Sequence, residues 1–525
     1  MHPLEIFELM IAMMLAIIVL QYAARRLGLP PAVALLTGGS FLAFLPGVPV
    51  FSLDPELVLV LFLPPLLMDG AWFIALSQVR RHLAGISSLA VGAVVFTTAV
   101  VAVVTHLLLP SLPWAACAAL GAIVSPPDAV SARAVLHHVR LPRRLTTLLE
   151  GESLLNDAAG LVLFRFAVAA AISGSFSLVE ATGSFLFLAI GGALVGVASG
   201  ALWLLLVKRL DDDYLIIATS ALISWSTYLA GEWLHVSGVI ATVVVGLICG
   251  WYQHRLFSAS VRMRGTAFWA VMIFLLEASV FVLIGSSLRG VIERVGGFET
   301  VLAQMAIPAM IVVLAVAVAR FAWVFLSDGI VLVSRRMGLT ARAPLGMRAA
   351  TVLSWAGMRG VVTLAVALTL PATFPGRDFM LVTAFAVILA TVLVQGMTLG
   401  AVIRWMGLRE NDAPRFTITQ AEAAIAQIQL ETVERKAVAA DGTLIHPHLL
   451  ETYQRKARIS ANFFGREEQL ASDMHAHFDL ILAAIAVGRA ELIRLHRAGE
   501  IDEAILHELE HDLDLEELAA RSAKA

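Results

Sequence analysis

The sequence predicts an all-α membrane protein with about thirteen transmembrane helices, followed by a small helical cytoplasmic domain at the C-terminus. Hydrophobic residues make up 59% of the 525 residues and charged residues only 15%, whereas soluble domains average about 25% charged residues. Apolar stretches long enough to cross a bilayer recur up to residue 403 and are absent after it. We therefore expect a transmembrane domain over residues 1–410 and a cytoplasmic domain over residues 411–525.

Thirteen apolar segments qualify as membrane spans by length and composition. In chain order they cover residues 4–24, 31–47, 56–76, 83–109, 114–136, 145–172, 178–207, 214–231, 235–252, 267–288, 301–333, 345–370 and 379–403. No basic residue precedes the first segment, and it is too long for a cleaved signal peptide. It is therefore kept as the first span.

The basic residues of the loops predict the orientation of these spans. Nineteen lysines and arginines follow the odd-numbered spans, whereas the alternate loops hold only Arg289, Arg294 and Arg377. Basic loops stay on the cytoplasmic side of a membrane. We therefore expect a multi-pass protein of the cell membrane with its N-terminus outside and its C-terminus inside.

The odd number of spans allows an internal repeat. If the seventh span is a linker, spans 1–6 and 8–13 form two six-helix halves of opposite orientation, as in inverted-repeat transporters. The fifth span of each half is interrupted, by Pro126 and Pro127 in "AIVSPPDAVSARAV" and by Gly357, Arg359 and Gly360 in "SWAGMRGVVTLAV". Such matched breaks indicate a transport site near the bilayer midplane. The alternative is a pair of ordinary helix kinks.

Span 6 carries several polar residues in "LLEGESLLNDAAGLVLF". Asp157 lies about 20 Å beyond the start of the span, near the middle of the hydrocarbon layer. Ser153 and Asp157 share one helix face, while Glu152 and Asn156 share another. The first pair supplies only oxygens, which suit a hard cation such as Na⁺, and burial also favours a proton on the carboxylate. Asp157 is thus expected to hold a cation or a proton, unless it is purely structural.

The remaining acids near the spans have less certain roles. Glu150 is interpreted as an acid that favours the start of its helix. Asp69 follows a Pro-Pro pair that is expected to loosen its helix. Asp128 is expected either to coordinate an ion or to cap the second half of the broken fifth span.

Three arginines also fall within predicted spans, namely Arg165, Arg320 and Arg359. An arginine in a membrane needs a carboxylate or backbone carbonyls as its partner. Glu152 is a candidate partner for one of them, and its spacing along the chain does not identify which.

Taken together, these motifs resemble the NhaP/NHE-type Na⁺/H⁺ antiporters, the electroneutral branch of the monovalent cation:proton antiporters. The resemblance covers nearly all of residues 4–405 and is carried by "FLPPLLMDGA", "GESLLNDA", "AVARFAWVF" and "GMRGVV". It implies a homodimer of thirteen-helix subunits, each with a dimerisation domain and a core domain in which broken spans 5 and 12 cross.

The resemblance also implies roles for the residues of span 6. Asp157 would bind cation and proton in turn, with Ser153 as a co-ligand for Na⁺. Asn156 stands where the electrogenic branch has a second acid, which implies electroneutral one-for-one exchange. Glu152 and Arg320 match the family's buried ion pair.

Two further positions of the ion path follow from the resemblance. Asp69 matches an acidic position that lines the path. In the span 5 break the family often has Thr-Asp-Pro, whereas this chain has Ser125, Pro126 and Pro127 in line and its acid displaced to Asp128. Ser125 would retain the hydroxyl ligand.

The predicted function is secondary antiport of Na⁺, or of Li⁺ or K⁺, against protons for pH and sodium homeostasis, without a cofactor. The alternatives are a K⁺/H⁺ antiporter or K⁺ efflux system, a passive channel, and an intramembrane enzyme. The chain contains neither a His-Glu-x-x-His zinc motif nor a Gly-x-Ser-x-Gly nucleophile elbow. It also lacks the basic, aromatic-rich segments that bind nucleic acid.

The C-terminal domain is predicted to be helical and regulatory. Residues 411–525 carry 12 lysines and arginines against 20 aspartates and glutamates, and they contain seven of the fourteen histidines. Histidines titrate near physiological pH, so they could sense pH, and the alternative is a solvated surface. His507 and His511 have the spacing of two metal ligands on one helix face, but no third ligand is evident.

Overall fold

The computed structural model describes residues 3–45, 55–74, 76–128, 141–174, 178–408, 418–437, 444–463, 467–498 and 500–524. The chain divides into two compact units, Met1–Asp412 and Ala413–Ala525. Helices dominate both of them.

The first unit contains sixteen of the helices that we number here. They are α1 (Pro3–Leu27), α2 (Pro31–Ala43), α3 (Pro55–Trp72), α4 (Leu76–Ser87), α5 (Val94–Leu108), α6 (Trp114–Val124), α7 (Arg143–Ser173), α8 (Leu178–Val207), α9 (Asp213–Trp233), α10 (Gly238–Leu256), α11 (Ala259–Arg294), α12 (Ala306–Arg336), α13 (Met347–Trp355), α14 (Val361–Leu368), α15 (Arg377–Ala390) and α16 (Gly396–Met406). One helical turn, Phe298–Thr300, and a π-helix, Val301–Met305, precede α12. Two further π-helices, Ser88–Ala93 and Thr391–Gln395, join α4 to α5 and α15 to α16.

Each of the thirteen predicted spans contains at least one of these helices. Among the described residues, nine continuous helices are long and apolar enough to cross a membrane, and Pro31–Ala43 and Trp114–Val124 are shorter apolar helices. The all-α membrane architecture predicted from the sequence is therefore confirmed. The count of thirteen and the inverted repeat stay predictions.

Side chains at the helix starts explain several boundaries. Asp212, Ser237 and Ser258 precede α9, α10 and α11, and each accepts a hydrogen bond from a backbone N–H in the first turn. Helix α7 begins after Pro142 and ends before Gly174, whose φ of 71° is left-handed. These signals delimit the long helix that carries the polar residues of span 6.

Helix α3 differs from the sequence-based expectation, because it runs without interruption through Pro64 and Pro65. A proline cannot donate to the carbonyl four residues earlier, which for Pro65 is that of Leu61. The indole Nε1 of Trp225 on α9 donates to this carbonyl at 3.0 Å. The neighbouring helix thus satisfies the freed acceptor, and Asp69 lies on an intact helix.

The helices of the first unit pack in two groups. In one group α2 contacts α11, while α10 contacts both α3 and α8. In the other, α6 contacts α5 and α7, and α12 contacts α5 and α15. Helix α3 of the first group meets α7 and α14 of the second. This junction brings the acid of α3 towards the polar face of span 6.

The second unit contains α17 (Ile418–Lys436), α18 (Pro447–Phe463), α19 (Glu467–Arg497) and α20 (Glu503–Lys524). Helix α17 packs on α18, and α19 packs on α20. Arg489 of α19 forms ion pairs with Asp514 at 2.7 Å and Glu517 at 2.6 Å on α20. The predicted helical character of this region agrees with the structure.

Candidate functional site

A cavity of about 80 Å³ lies between α3, α7 and the start of α14. Apolar residues form most of its wall. Its polar lining consists of Asp69, Asp128, Glu150, Ser153 and Asp157. Four acids and a hydroxyl thus face one space, and none of the described residues that line it is a lysine, arginine or histidine.

Helix periodicity explains why three of these side chains come from α7. Glu150, Ser153 and Asp157 are spaced by three and four residues, so they form one stripe along the helix. Asp69 reaches the cavity from the unbroken helix α3, and Asp128 from the chain just after α6. The acids of three segments therefore converge on one face of α7.

The charge of this lining restricts what the cavity can bind. Asp128 and Asp157 interact electrostatically across the site, and two like charges in a poorly hydrated space repel each other. A cation or a proton relieves that repulsion. Because all of the polar ligands are oxygens, the site suits a hard cation such as Na⁺.

Among the described residues, no three His, Cys, Asp or Glu side chains form a cluster that could hold a metal ion in a fixed site. That statement includes His507 and His511 of the second unit. The carboxylates of the cavity therefore do not have the arrangement of a fixed metal centre.

Glu150 is the cavity residue that the sequence analysis did not identify. Its position near the start of α7 suggested only a favourable interaction with the helix dipole. The signal that could have identified it is the seven-residue spacing to Asp157, which is almost two full helical turns.

Asn156 is a predicted ion-binding residue that does not line the cavity. Its side-chain Nδ2 donates to the carbonyl of Pro127 at 2.5 Å, and the residue is fully buried. About 100° of helix rotation separates it from Asp157, so it cannot share the same cavity. Asn156 instead attaches α7 to the break after α6.

Ser125, the predicted hydroxyl ligand, is not among the residues that line the cavity. Its Oγ donates to the carbonyl of Gly121 at 2.5 Å and lies 3.0 Å from Oγ1 of Thr98. Since Ser125 still follows α6 with helical backbone angles, its hydroxyl returns to the preceding turn. The residue completes the end of α6.

The two interrupted spans meet behind the cavity. Helix α6 ends at Val124, directly before Ser125, Pro126 and Pro127, and the chain between α13 and α14 is non-helical. The backbone N–H of Asp128 donates to the carbonyl of Met358 at 2.6 Å. Residues 129–136, the predicted second half of span 5, lie outside the described residues.

Arg359 holds the two breaks together with backbone hydrogen bonds. Its guanidinium donates to the carbonyls of Val124 at 3.0 Å and Ser125 at 3.2 Å, and also to that of Gly357. These acceptors include the free carbonyl end of α6, where a positive charge is favourable. These hydrogen bonds give the buried guanidinium its acceptors, and they stabilise the end of the broken helix.

The two glycines of the second break permit close approach. A Cβ on Gly360 would collide with the carboxylate of Asp128, and one on Gly357 would lie 2.7 Å from Nε of Arg320. Glycine at both positions therefore lets charged side chains pass next to the backbone.

The other two arginines of the spans have carboxylate partners. Arg320 forms a bidentate ion pair with Glu152, in which both side chains are only 2% exposed. Arg165 pairs with Glu232 at 3.2 Å, and these side chains are 47% and 34% exposed. Glu152 thus faces away from the cavity and compensates Arg320.

Comparisons with known proteins identify relatives of this chain. The family model described as "Sodium/hydrogen exchanger, transmembrane" matches residues 10–405. An uncharacterised Na⁺/H⁺ exchanger of Mycobacterium bovis is 32% identical over 97% of this chain and 95% of its own. The Na⁺/H⁺ antiporter NhaS2 of Synechocystis is 30% identical over 93% of this chain and 86% of its own.

Two other relatives extend the comparison. The sodium, potassium, lithium and rubidium/H⁺ antiporter of Bacillus subtilis is 34% identical over 66% of this chain and 54% of its own. The solved structure of the sodium proton antiporter MjNhaP1 from Methanocaldococcus jannaschii superposes with a TM-score of 0.62. That match has 20% identity and covers 77% of this chain and 99% of the other, so it supports the fold.

Proposed function

The chain belongs to the sodium/hydrogen exchanger family, and on that basis we propose that it exchanges one Na⁺ for one H⁺ through the carboxylate of Asp157. The coarser statement follows from the family itself: the protein is a multi-pass membrane transporter that exchanges monovalent cations for protons. The alternative of an intramembrane enzyme is excluded, because the family and the fold are those of transporters.

The observation that carries the proposal is the convergence of Asp157 and Ser153 with Asp69 and Asp128 on one acidic cavity. Na⁺ and H⁺ compete for Asp157, because either one neutralises the same carboxylate. A bound Na⁺ or H⁺ removes one negative charge from the site, which can then change its exposure across the membrane, whereas an empty site keeps a charge that is costly in lipid. This competition couples the two fluxes.

Electroneutral exchange is supported by the neighbour of Asp157. Asn156 carries no charge at any pH, and its amide is occupied by the carbonyl of Pro127. Glu152, one turn earlier, is neutralised by Arg320. One proton is therefore released at α7 for each Na⁺ that binds there.

Exchange of K⁺ for H⁺ is the second candidate, and one observation favours it. The Bacillus subtilis relative is named for sodium, potassium, lithium and rubidium. Carboxylate and hydroxyl oxygens bind all of these cations, so the order of preference must be measured.

The proposed orientation has the N-terminus outside and the second unit in the cytoplasm, and the proposed assembly is a homodimer. The basic residues of alternate loops support the orientation, and the family resemblance supports the dimer. Both fit a role in pH and sodium homeostasis at the cell membrane.

Proteoliposomes with an imposed pH gradient test the proposed exchange. Addition of Na⁺, Li⁺ or K⁺ should release internal protons from the wild type, and D157N should abolish this release. The matched control is D211N, the same chemical change at an exposed acid between α8 and α9. Wild-type exchange by D157N would contradict the assignment of Asp157.

An imposed membrane voltage tests the stoichiometry separately. One-for-one exchange moves no net charge, so the voltage should leave the Na⁺-dependent rate unchanged. A rate that follows the sign of the voltage would contradict electroneutrality while leaving antiport itself intact.

A further inference from the structure

A second cavity, of about 600 Å³, lies apart from the ion site and shares no lining residue with it. It is bounded by the second half of α4 with the π-helix Ser88–Ala93, the start of α7, the last turns of α12, residues 341–345 and Leu353 of α13. Because α7 begins here and α12 ends nearby, the cavity opens at the membrane face that the loop charges predict to be cytoplasmic.

The charged lining of this cavity is predominantly basic. Arg81, Arg144 and Arg342 face it, together with His82 and a single acid, Asp328. The carboxylate of Asp328 accepts hydrogen bonds within the protein, from the backbone N–H groups of Leu345 at 2.5 Å and Gly346 at 3.1 Å. The net charge offered to a ligand is therefore positive.

The wall made by residues 341–345 is fixed in place rather than loosely folded over the opening. Asp328 holds it from α12, and Arg144 donates from α7 to the carbonyls of Ala343 at 2.6 Å and Pro344 at 3.2 Å. Arg81 and Arg342 both line the cavity and are both exposed. A preformed basic cavity is thus open to a ligand.

The rest of the lining is apolar and leads onto the outer surface of α12. Trp323 is held by a hydrogen bond of 2.9 Å from its Nε1 to the carbonyl of Ser88, and it packs on Gly92. Leu326 and Ile330 line the same cavity and are 52% and 58% exposed. Side chains so exposed on a membrane helix are surrounded by acyl chains.

We propose that this cavity binds the phosphate headgroup of an anionic phospholipid, whose acyl chains lie along Leu326 and Ile330. A basic pocket between helices at the cytoplasmic face provides the charge complementarity for such a headgroup, and the adjacent apolar surface accepts the chains. A zwitterionic lipid gains less, because its own cationic group opposes the three arginines. The site is independent of the proposed exchange reaction.

Thermal unfolding of the purified full-length protein in detergent tests this proposal, because a ligand that binds only the folded state raises the midpoint. Phosphatidylglycerol should raise the midpoint of the wild type more than phosphatidylcholine does. The double variant R81Q/R342Q should bind phosphatidylglycerol about tenfold more weakly. It leaves Arg144 and Asp328, which hold the wall, in place.

The matched control is R335Q/R336Q, two exposed arginines at the same end of α12 but outside the cavity lining. It should respond to phosphatidylglycerol as the wild type does. An unchanged response of R81Q/R342Q would overturn the proposal. Stabilisation by inorganic phosphate equal to that by phosphatidylglycerol would also overturn it, since the site would then take a free anion rather than a lipid.

Discussion

At the scale of single residues, the polar positions of α7 divide into two faces with opposite consequences. Glu150, Ser153 and Asp157 face the cavity, whereas Glu152 compensates Arg320. The first face presents carboxylate and hydroxyl oxygens to the cavity, and the second pairs its carboxylate with a buried arginine. Substitutions on the cavity face should therefore change ion exchange, whereas substitutions on the buried face should change stability.

On the buried face, Glu152→Gln should lower the free energy of unfolding by about 3–5 kcal/mol, because it leaves the charge of Arg320 buried without its partner. Thermal or denaturant unfolding in detergent measures this loss. The control is Glu232→Gln, which removes the partner of the exposed Arg165 and should cost about 1 kcal/mol or less. Equal losses in the two variants would contradict the assigned role of the buried pair.

On the cavity face, Glu150→Gln should preserve exchange but raise the Na⁺ concentration for half-maximal rate by about fifteenfold. Glu150 lies about 10 Å along the helix from Asp157, a separation at which one charge contributes about 1.6 kcal/mol in a medium of dielectric constant 20. Initial rates over a range of Na⁺ concentrations measure the effect. Complete loss of exchange would instead make Glu150 a direct ligand, and no change would remove it from the ion path.

The residues that could be predicted from sequence are those set by helical spacing alone. Ser153 and Asp157 fall on one face of any α-helix, and the structure keeps them together. Ser125 could not be predicted in this way, because its hydroxyl bonds within the turn that ends α6. The partner of Glu152 was equally undetermined by spacing, since it is 168 residues away.

At the scale of the elements, the two interrupted spans depend on each other. Arg359, from the break between α13 and α14, satisfies the carbonyl end of α6, and Gly360 lies directly against Asp128. Each break is therefore held by contacts with the other. A side chain added at one break should displace an acid at the other.

Gly360→Ala should therefore slow exchange and lower stability by about 1–3 kcal/mol, the usual cost of overpacking, because the new methyl group must displace the Asp128 carboxylate. Initial exchange rates and thermal unfolding measure the two effects. Gly329→Ala is the matched control, since a Cβ there meets nothing within 4 Å on α12. It should be neutral or stabilising by up to about 1 kcal/mol. Wild-type behaviour of Gly360→Ala would contradict the close approach.

The pair α19 and α20 of the second unit provides a pH-dependent element. The guanidinium of Arg521, and then that of Arg489, holds the pKa of Glu517 below its ordinary value of 4.5. A pKa that is lower in the folded state stabilises the helix pair above pH 4.5, and this contribution is lost as the pH falls through the folded value. The ion pairs should thus strengthen the pair at neutral pH and lose this effect in acid.

Hydrogen exchange of α19 and α20 in the full-length protein tests this expectation. Glu517→Gln should exchange faster than the wild type at neutral pH, and the difference should shrink well below pH 4.5. Glu508→Gln, at an exposed acid of the same helix, should match the wild type at both pH values. A difference that persists in acid would contradict an electrostatic origin.

Some elements could not be predicted because tertiary contacts decide them. The prolines of α3 predicted a loosened helix, yet Trp225 of another helix takes up the free carbonyl of Leu61. The π-helix Ser88–Ala93 likewise has a partner in Trp323, which bonds to Ser88. In each case a tryptophan from a distant segment donates to a backbone carbonyl of the irregular stretch. The local sequence does not reveal that partner.

At the scale of the whole molecule, composition predicts two regions. The loss of apolar segments after residue 403 suggests a boundary near Glu410, and the compact units divide between Asp412 and Ala413. The assignment of these regions to the membrane and the cytoplasm stays a prediction. Hydrophobic content is averaged over long stretches of sequence. It can therefore predict where the apolar segments end, but not the individual contacts that determine a turn or an ion ligand.

Among the described residues, all that line the two cavities belong to Met1–Asp412, and the family model ends at residue 405. The first unit therefore contains every residue to which the proposal assigns a role in exchange. Deletion of residues 413–525 should leave Na⁺-dependent proton release at a rate of the same order as that of the full chain, measured in proteoliposomes at matched protein density. If the truncated chain unfolds at the wild-type temperature yet no longer exchanges ions, the second unit must supply a part of the transport cycle that the acidic cavity lacks.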